Sequence, residues 1–342
     1  MNRRKYTMKK FDQDFFDIEN FIIKKESFIY SNKNDTRPIC HVCYNVNDPF
    51  IPIMGASIVS VLENNSNLAC TFHIFTDGYS DVNANKVKEV ASKWQCNCIL
   101  YQFNMKPFED FHIKVARFSR ITYGRLYMAK VLKGITSQFI YVDADAMCVS
   151  SLQKLWTLDM KDAAMGAVSE IPDAVTYRAG YLKLKNGKYF NDGIMLIDVN
   201  EWEKQQITEK CFSYQCEPQK RFLGQSQDVL NLVFDGKNYF LPKEYNVYGG
   251  GYQATSTSVF IHWTGRRKPW QMVLTNFDAQ WRHYNALSPW PNITNILPIK
   301  KPENYHDFQQ WGRYQKTQGN VFGYIKGLFW YSLLRIRYKL HI

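Results

Sequence analysis

No stretch of the sequence is both apolar enough and long enough to cross a bilayer as a helix. The longest candidate is GLFWYSLL at residues 327–334, whereas a spanning helix needs roughly 20 apolar residues. The basic N-terminus, MNRRKYTMKK, is followed by acidic residues and not by the apolar core of a signal peptide. We therefore expect a protein that does not cross a membrane and carries no readable secretion signal.

The sequence also lacks the common glycine-rich phosphate-binding motifs. It contains neither Gly-x-Gly-x-x-Gly nor Gly-x-x-x-x-Gly-Lys-Ser/Thr, so neither a dinucleotide fingerprint nor a P-loop is indicated. The eight cysteines form no framework. Cys40 and Cys43 have zinc-like spacing but lie in an apparent strand, where residues three apart face opposite sides, and Cys96 and Cys98 have no second ligand pair. Buried thiols in a reducing cytoplasm are expected.

The composition indicates a folded protein whose positive charge is unevenly distributed. Hydrophobic residues make up 45% of the 342 residues, which argues against disorder. The formal net charge is +12, and residues 308–342 contain six basic and no acidic residues. An anionic partner is indicated, and nucleic acid, acidic phospholipid and phosphorylated substrates all satisfy the charge. Because no nucleic-acid-binding motif is present, we do not expect nucleic acid to be the partner.

Hydrophobic periodicity predicts alternating strands and helices. The predicted strands cover residues 39–46, 70–76, 96–103 and 139–143, and the predicted helices cover residues 52–64, 82–94 and 122–132. Such alternation predicts an α/β fold in which a parallel sheet has helices on its faces.

Two aspartates, Asp143 and Asp145, follow the predicted strand FIYVD. Residues two apart at a strand end project to the same side, so the two carboxylates can share a divalent cation. The carboxyl ends of strands are also where open α/β sheets bind ligands. The spacing alone is a weak signal, because Asp12 and Asp14 repeat it in a polar segment. A turn cap at Asp145 and a solvated Asp143 remain the simpler alternative.

The segment HWTGRRKPW at residues 262–270 follows another strand-like run. It offers His262 as a metal ligand, Gly265 for close backbone approach and Lys268 as a cation for a phosphate group. A structural histidine in an aromatic surface loop is an equally good interpretation of this segment alone.

Two further segments place polar residues before apolar runs. Asn191 and Asp192 precede Gly193 and IMLIDV, where a hairpin turn is the simpler interpretation and binding of ligand hydroxyls is the functional one. Gln227 and Asp228 begin a helical pattern, where helix capping is the simpler interpretation.

In their order along the chain, these motifs resemble the retaining glycosyltransferase family 8, and within it the lipopolysaccharide core glucosyl- and galactosyltransferases. The resemblance covers roughly residues 38–342. It lies in Asp143-Ala-Asp145, Phe190-Asn191-Asp192-Gly193, Gln227-Asp228-Val-Leu-Asn231, Tyr245-Asn246 and His262-x-x-Gly265-x-x-Lys268-Pro269-Trp270. It implies a GT-A fold, which is a Rossmann-like mixed sheet flanked by helices, together with a UDP-sugar donor and a divalent Mn²⁺ or Mg²⁺ ion.

The resemblance also implies roles by position. The implied metal ligands are Asp143, Asp145 and His262. The implied donor-binding residues are Tyr44, Asn45, Val46, Asn47 and Asp48 for uridine, Arg125, the motif residue Ala144, and Gly265 with Lys268 for the diphosphate. The implied catalytic residues are Gln227, Asp192, Asn191 and Lys268.

Two positions depart from the family pattern. Ser226 stands where the family usually has the first aspartate of Asp-Gln-Asp, and Asp192 stands where it more often has a small residue. Whether Asp192 takes over the lost carboxylate's role is left open by the sequence. The implied function is transfer of glucose or galactose to a lipopolysaccharide core oligosaccharide in an α linkage. The alternatives are a protein or capsular glycan acceptor, or a catalytically silent UDP-sugar-binding protein.

The sequence divides into an N-terminal extension at residues 1–37, a catalytic domain at 38–290 and a basic, aromatic C-terminal module at 291–342. Apolar residues at helical spacing among basic ones predict an amphipathic C-terminal helix lying in an anionic membrane surface. This predicts a peripheral protein on the cytoplasmic face of a bacterial inner membrane. A helix docked on the protein's own core is the alternative.

Overall fold

The computed structural model describes residues 11–32, 34–113, 119–215, 222–251, 253–265, 267–293 and 301–340. Its strands in these ranges are β1 (Ile22–Ile29), β2 (Ile39–Asn45), β3 (Ala69–Thr76), β4 (Asn97–Phe103), β5 (Gln138–Val142), β6 (Ala146–Cys148), β7 (Met165–Ser169), β8 (Phe190–Asp198), β9 (Tyr239–Leu241) and β10 (Phe260–His262).

The helices in the same ranges are α1 (Ile18–Phe21), α2 (Ile51–Asn64), α3 (Asp81–Trp94), α4 (Met128–Leu132), α5 (Gln153–Trp156), α6 (Pro172–Leu182), α7 (Val199–Lys204), α8 (Ile207–Phe212), α9 (Ser226–Val233), α10 (Tyr248–Gly251), α11 (Asn276–Leu287), α12 (Tyr305–Thr317) and α13 (Val321–Leu340).

The strands form a mixed eight-stranded sheet in the order β1-β4-β3-β2-β5-β8-β7-β9, and β6 and β10 form a separate antiparallel pair. The pairs among β2, β3, β4 and β5 are parallel, as the strand-helix alternation predicts. Their runs are almost wholly apolar because both faces are covered, and every residue of β3 is buried. Two large clusters of buried hydrophobic residues cover the two faces of the sheet. The predicted α/β class with a mixed sheet is confirmed.

The parallel pairing predicted from the strand-helix alternation alone is wrong for β8, which runs antiparallel to both β5 and β7, in agreement with the mixed sheet that the family resemblance implies. The interpretation of Asn191-Asp192-Gly193 as a hairpin turn is also wrong, because these residues lie inside β8 and are buried. A continuous apolar run signals a buried strand but carries no information on strand direction. The direction matters for function, because it places the first residues of β8 at the carboxyl edge of the parallel strands.

Residues before position 38 contribute an edge strand. β1 pairs antiparallel with β4, and Phe21 just before it stacks on Tyr127 with ring centroids 3.7 Å apart. The sequence division places this segment outside the catalytic domain. Its strand was missed because β1 carries charged, exposed residues that blur the alternation, as edge strands often do.

The predicted helix over residues 122–132 is only partly present. A 3-10 helix spans Arg120–Leu126, and α4 follows it. Gly124 lies against Phe103 and Asn45, so that a Cβ added there would come within 3 Å of both side chains. This close approach to the sheet accounts for a tight 3-10 segment in place of a regular α-helix.

The described cysteines are unpaired and buried, which confirms the buried-thiol prediction. Cys40 packs in one of the two large clusters and Cys43 in the other, because residues three apart on a strand face opposite sides.

The C-terminal segment forms a hairpin of α12 and α13. The two helices cross closely at Gly312 and Gly327, where a Cβ on Gly327 would lie 2.5 Å from the Cα of Gly312. Phe308 and Trp330 stack beside this crossing. The outer helix α13 leaves large apolar side chains exposed, including Phe322, Phe329 and Tyr338. Across the described ranges, no helix is long and apolar enough to cross a membrane.

Candidate active site

Three strand ends bring Asp143, Asp145 and His262 together. Asp143 directly follows β5, and Asp145 directly precedes β6. β6 pairs antiparallel with β10, so that His262 lies opposite Ala146, and the backbone amide of Trp263 donates to the carbonyl of Asp145. His262 is at least 117 positions away from the two aspartates in the sequence. Its position beside them is therefore fixed by main-chain pairing and not by the conformation of a loop.

The ligand atoms of these three side chains converge. Nε2 of His262 lies 3.2 Å from Oδ1 of Asp145 and 3.6 Å from Oδ2 of Asp143. One ligand atom from each residue falls within 4.8 Å of the others, which is the spacing of groups around one metal ion. A Cβ on Gly193 would lie 2.2 Å from the His262 ring and 2.8 Å from Asp143 Oδ2, so only glycine leaves this space open. The donor set therefore fits a divalent cation.

A chain of amides orients the histidine. Nδ1 of His262 lies 2.9 Å from Oδ1 of Asn246, and Asn246 donates its Nδ2 to Oδ1 of Asn191. A proton on Nδ1 leaves the Nε2 lone pair facing the carboxylates, which is the arrangement of a metal-ligating imidazole. Burial opposes the charged form, but Asp145 and Asp143 raise the pKa of His262 above its ordinary value. The site thus attracts a positive charge at Nε2.

Lys268 lies beside the same carboxylates. Its Nζ contacts Oδ2 of Asp145 and the carbonyl of Trp263. Despite burial, Lys268 and His262 lower the pKa of Asp145 well below its ordinary value, so this carboxylate stays ionised. The lysine therefore occupies one oxygen of Asp145 and leaves the other facing His262.

Arg125, predicted to contact the donor, is buried beneath the cluster. Its guanidinium pairs with Asp143 at 3.0 Å and with Asp192 at 2.8 Å, and it stacks on the ring of Tyr141. Tyr141 also donates its hydroxyl to Asp143 at 2.7 Å. In this arrangement Arg125 holds two carboxylates in place, and its side chain is only 7% exposed.

Asp192 forms a direct contact with the unusual Ser226. The Ser226 hydroxyl donates to Oδ2 of Asp192 at 2.9 Å, so the carboxylate lies next to the position where the family pattern has an aspartate. Burial raises the pKa of Asp192 to about 6, although Arg125 opposes that rise. The structure thus places a carboxylate beside Ser226, from the neighbouring strand instead of the helix.

Asn191 and Gln227 meet at the same edge, together with Glu170, which sequence reasoning missed. Asn191 Nδ2 donates to Glu170 Oε1 at 2.9 Å and lies 3.3 Å from Gln227 Oε1. Glu170 directly follows β7. The available signal was its position as a charged residue at the end of the apolar run MGAVS, the same signal that marks Asp143 after FIYVD.

Asp228 has a structural role and does not cap α9 through the usual N-cap position. It forms an ion pair with Arg178 and accepts hydrogen bonds from the Tyr189 hydroxyl and the Gly224 amide. These contacts fix the loop that precedes Gln227.

The predicted uridine-binding segment is only partly accessible through its side chains. Tyr44 is fully buried and hydrogen-bonds Ser57 at 3.0 Å, and Val46 is also in the core. Asp48 accepts from Ser80 and Asn83 at the start of α3. Asn45 donates to the carbonyl of Ile121. The parts of this segment that remain open to a ligand are therefore the backbone of the strand end and the half-buried Asn47.

Two small residues occupy contrasting environments. Ala144, between the two aspartates, packs into the core. Gly265 is exposed and has no described atom within 4 Å of the position a Cβ would take. The protein itself therefore does not require glycine at 265, whereas a ligand that approaches the backbone there would.

Comparisons with known proteins agree with this arrangement. A family model described as glycosyl transferase family 8 matches residues 41–273. The chain is 31% identical over 317 residues to a lipopolysaccharide 1,2-glucosyltransferase of Escherichia coli, covering 86% of this chain and 92% of that protein. It is 24% identical to a lipopolysaccharide 1,3-galactosyltransferase of Salmonella typhimurium, covering 82% and 88%.

Among solved structures, the chain resembles that of galactosyltransferase LgtC in complex with donor and acceptor sugar analogs. The TM-score is 0.66 at 20% identity, covering 73% of this chain and 96% of that one. At this identity the likeness concerns the fold alone, and it confirms the GT-A architecture.

The raised pKa of Asp192 predicts that the contribution of this residue to the free energy of unfolding depends on pH. The folded protein binds this proton more tightly than the unfolded chain, whose aspartate has the ordinary value of 3.8. The contribution is therefore present below pH 4 and is lost as the pH rises through about 6. Urea unfolding of wild type and Asp192→Asn should be measured between pH 4 and 7. The free energy of unfolding of wild type, relative to that of Asp192→Asn, should fall by on the order of 2 kcal/mol over this range.

Asp12→Asn is the matched control, because Asp12 is exposed. The difference in free energy of unfolding between Asp12→Asn and wild type should stay constant over the same pH range. A wild-type advantage over Asp192→Asn that is constant, or that grows with pH, would contradict the assignment of a raised pKa to Asp192.

Proposed function

The chain belongs to glycosyltransferase family 8, and from this premise we propose that it transfers glucose or galactose from a UDP-hexose to a lipopolysaccharide core oligosaccharide, with retention of the anomeric configuration. The acceptor class is supported by relatives named as lipopolysaccharide glucosyl- and galactosyltransferases. The observation that carries the chemistry is the convergence of Asp143, Asp145 and His262 beside Lys268.

Asp143, Asp145 and His262 would hold a divalent cation, which when bound would supply positive charge against the diphosphate of the donor. Two carboxylate oxygens suit either Mg²⁺ or Mn²⁺, and the imidazole nitrogen favours the transition metal, so we propose Mn²⁺ as the preferred ion. Lys268 adds a second positive charge at the same place, where it can leave Asp145 and stabilise the departing phosphate oxygen.

The remaining groups position the sugar. Asn191, Gln227 and Glu170 present amide and carboxylate groups to its hydroxyls. Asp192, held by Arg125 and Ser226, supplies the carboxylate that the family pattern places at position 226. This arrangement keeps one carboxylate beside the transferred hexose while shifting it from α9 to β8.

Retention requires either a covalent intermediate or attack from the leaving-group face. The amide of Gln227 is a poor nucleophile, so we infer same-face attack. The bond from the acceptor oxygen to the anomeric carbon forms as the bond to the diphosphate breaks. A diphosphate oxygen takes the acceptor's proton, and UDP leaves.

The direct test is transfer with purified protein, Mn²⁺, each UDP-hexose and truncated lipopolysaccharide acceptors. We expect UDP release with one of the two donors and an α-linked hexose in the proton NMR spectrum of the isolated product. A β-linked product would refute retention. Metal-dependent UDP-sugar binding without transfer to any acceptor would favour the silent binding protein.

The substitution Asp145→Asn tests the proposed role of Asp145 as a metal ligand. It removes a charged ligand atom while keeping the shape of the side chain, so turnover should fall at least about a hundredfold in folded protein. Asp12→Asn alters the exposed pair of the same spacing and should leave turnover unchanged. Near-normal, metal-dependent turnover by Asp145→Asn would exclude Asp145 as a metal ligand.

We also propose that α13 attaches the enzyme to an anionic membrane surface, on the cytoplasmic face of the inner membrane where a lipid-linked acceptor is reached. The support is the exposure of Phe322, Phe329 and Tyr338 at 88%, 60% and 68%. The helix also carries Lys326, Arg335, Arg337 and Lys339 and no acidic residue. α13 packs mainly against α12, so docking on the catalytic core does not account for these exposed side chains.

Substitution of two exposed aromatic residues tests this attachment. Phe322 and Phe329 are two helical turns apart on one side of α13, and Phe322→Glu/Phe329→Glu should reduce sedimentation with anionic vesicles at least about tenfold. Because each basic residue contributes about 1 kcal/mol near an acidic bilayer, wild-type binding should also weaken as salt rises.

The control for this substitution is Val82→Glu/Tyr177→Glu, which alters two exposed residues outside the C-terminal hairpin. It should sediment as wild type does. Transfer to a membrane-embedded acceptor should fall in the α13 variant more than hydrolysis of the UDP-sugar falls. Full sedimentation of the folded α13 variant would show that this helix does not attach the protein to membranes.

A further inference from the structure

A cleft lies between the turn that follows Lys268 and the C-terminal hairpin. Its volume is about 340 Å³, which is within the usual range for sites that bind small ligands. We call it the basic cleft and define it by Gln271, Met272, Arg282, Lys301, Trp311 and Tyr314. It contains none of the residues placed in the candidate active site.

Two cations, Arg282 and Lys301, line this cleft. Within the described ranges, no carboxylate forms an ion pair with Arg282 or Lys301. The carboxylate of Asp278, on the same helix as Arg282, is already engaged by Arg267 and by the indole of Trp263. Burial lowers the pKa of Arg282, although the nearby Asp278 opposes that change. A half-buried guanidinium and an ammonium group, neither of which forms an ion pair within the described ranges, favour an anionic ligand.

The other walls suit a sugar. Trp311 and Tyr314 are two aromatic side chains on α12, and the C–H face of a pyranose ring packs well on such apolar surfaces. Gln271 Oε1 is buried and has no hydrogen-bond partner within the described part of the chain.

We propose that the basic cleft binds an anionic sugar unit of the acceptor oligosaccharide, phosphorylated or carboxylated, at a distance from the hydroxyl that receives the hexose. The proposal rests on the proposed function, because it names a second contact of the same acceptor. The cations recognise the charge, and the aromatic side chains pack against the ring face.

The turn that follows Lys268 connects the basic cleft to the predicted metal ligands. The amides of Gln271 and Met272 both donate to the carbonyl of Lys268, whose side chain contacts Asp145. On the cleft side, Arg282 Nε donates to the carbonyl of Pro269 at 3.1 Å. An acceptor held in the cleft is thus anchored to the same turn that bears the leaving-group lysine, and binding there should lower the acceptor KM without changing the chemistry.

The test uses a core oligosaccharide freed from its lipid, with its anionic groups intact or enzymatically removed. Loss of one charged contact or one aromatic wall should raise the acceptor KM about tenfold. We therefore expect Lys301→Ala and Trp311→Ala to raise KM for the intact acceptor, with kcat and UDP-hexose hydrolysis within about twofold of wild type. Lys237→Ala, which removes an exposed lysine elsewhere, should change nothing.

Removing the anionic groups should raise the wild-type KM at least to the level of Lys301→Ala and should raise the KM of Lys301→Ala by a smaller factor, because only the contact with Arg282 is then lost. Unchanged KM for both cleft variants would overturn the proposal. A KM increase for Lys301→Ala that is equally large with the neutral acceptor would also overturn it, because charge recognition would then be absent.

Direct binding separates this proposal from the proposed function. Calorimetric titration with the intact oligosaccharide should give weaker binding for Lys301→Ala and Trp311→Ala than for wild type, whether or not transfer occurs. Absence of wild-type transfer would overturn only the proposed function. If the cleft variants bind the oligosaccharide normally but lose sedimentation with anionic vesicles, the anion belongs to a lipid headgroup and the sugar proposal is overturned.

Discussion

The antiparallel pairing of β8 with β5 is the interaction on which the rest of the site depends. The amide of Asp143 donates to the carbonyl of Gly193 at 2.8 Å, one step beyond the pair Val142 and Ile194. This pairing brings the start of β8 to the ends of the parallel strands. Gly193 then leaves space for His262 from β10. Had β8 run parallel to β5, its polar residues would lie at the opposite edge of the sheet.

Charge balance follows from this geometry. Asp143 and Asp192 share Arg125, while Asp145 pairs with Lys268. Buried ions are tolerated when each has a partner and good hydrogen bonds, and removal of one partner leaves the other uncompensated. Main-chain pairing fixes the backbones that bear Asp143, Asp145 and Asp192. Asp143 Oδ2 and Asp145 Oδ1 are thereby left facing Nε2 of His262.

The sequence predicted the elements with strong periodicity and the residues at strand ends. β2, β3 and β4, with α2 and α3, follow from apolar runs, and Asp143 with Asp145 follows from the run before them. The direction of β8 could not be read in this way, because a continuous apolar run indicates burial on both faces and not strand direction. The exposed strand β1 was missed because its charged residues blur the alternation. Glu170 escaped notice because a single charged residue after a strand is common. The contact between Ser226 and Asp192 depends on two elements meeting in space.

We propose that Asp143, Asp145 and His262 together hold the cation that binds the donor diphosphate. The most direct measurement is a crystal structure with Mn²⁺ and UDP, with anomalous scattering recorded at the manganese edge. We expect one anomalous peak in contact with Asp143 Oδ2, Asp145 Oδ1 and His262 Nε2. A diphosphate bound without a cation at these atoms, or an ion held by other residues, would contradict it.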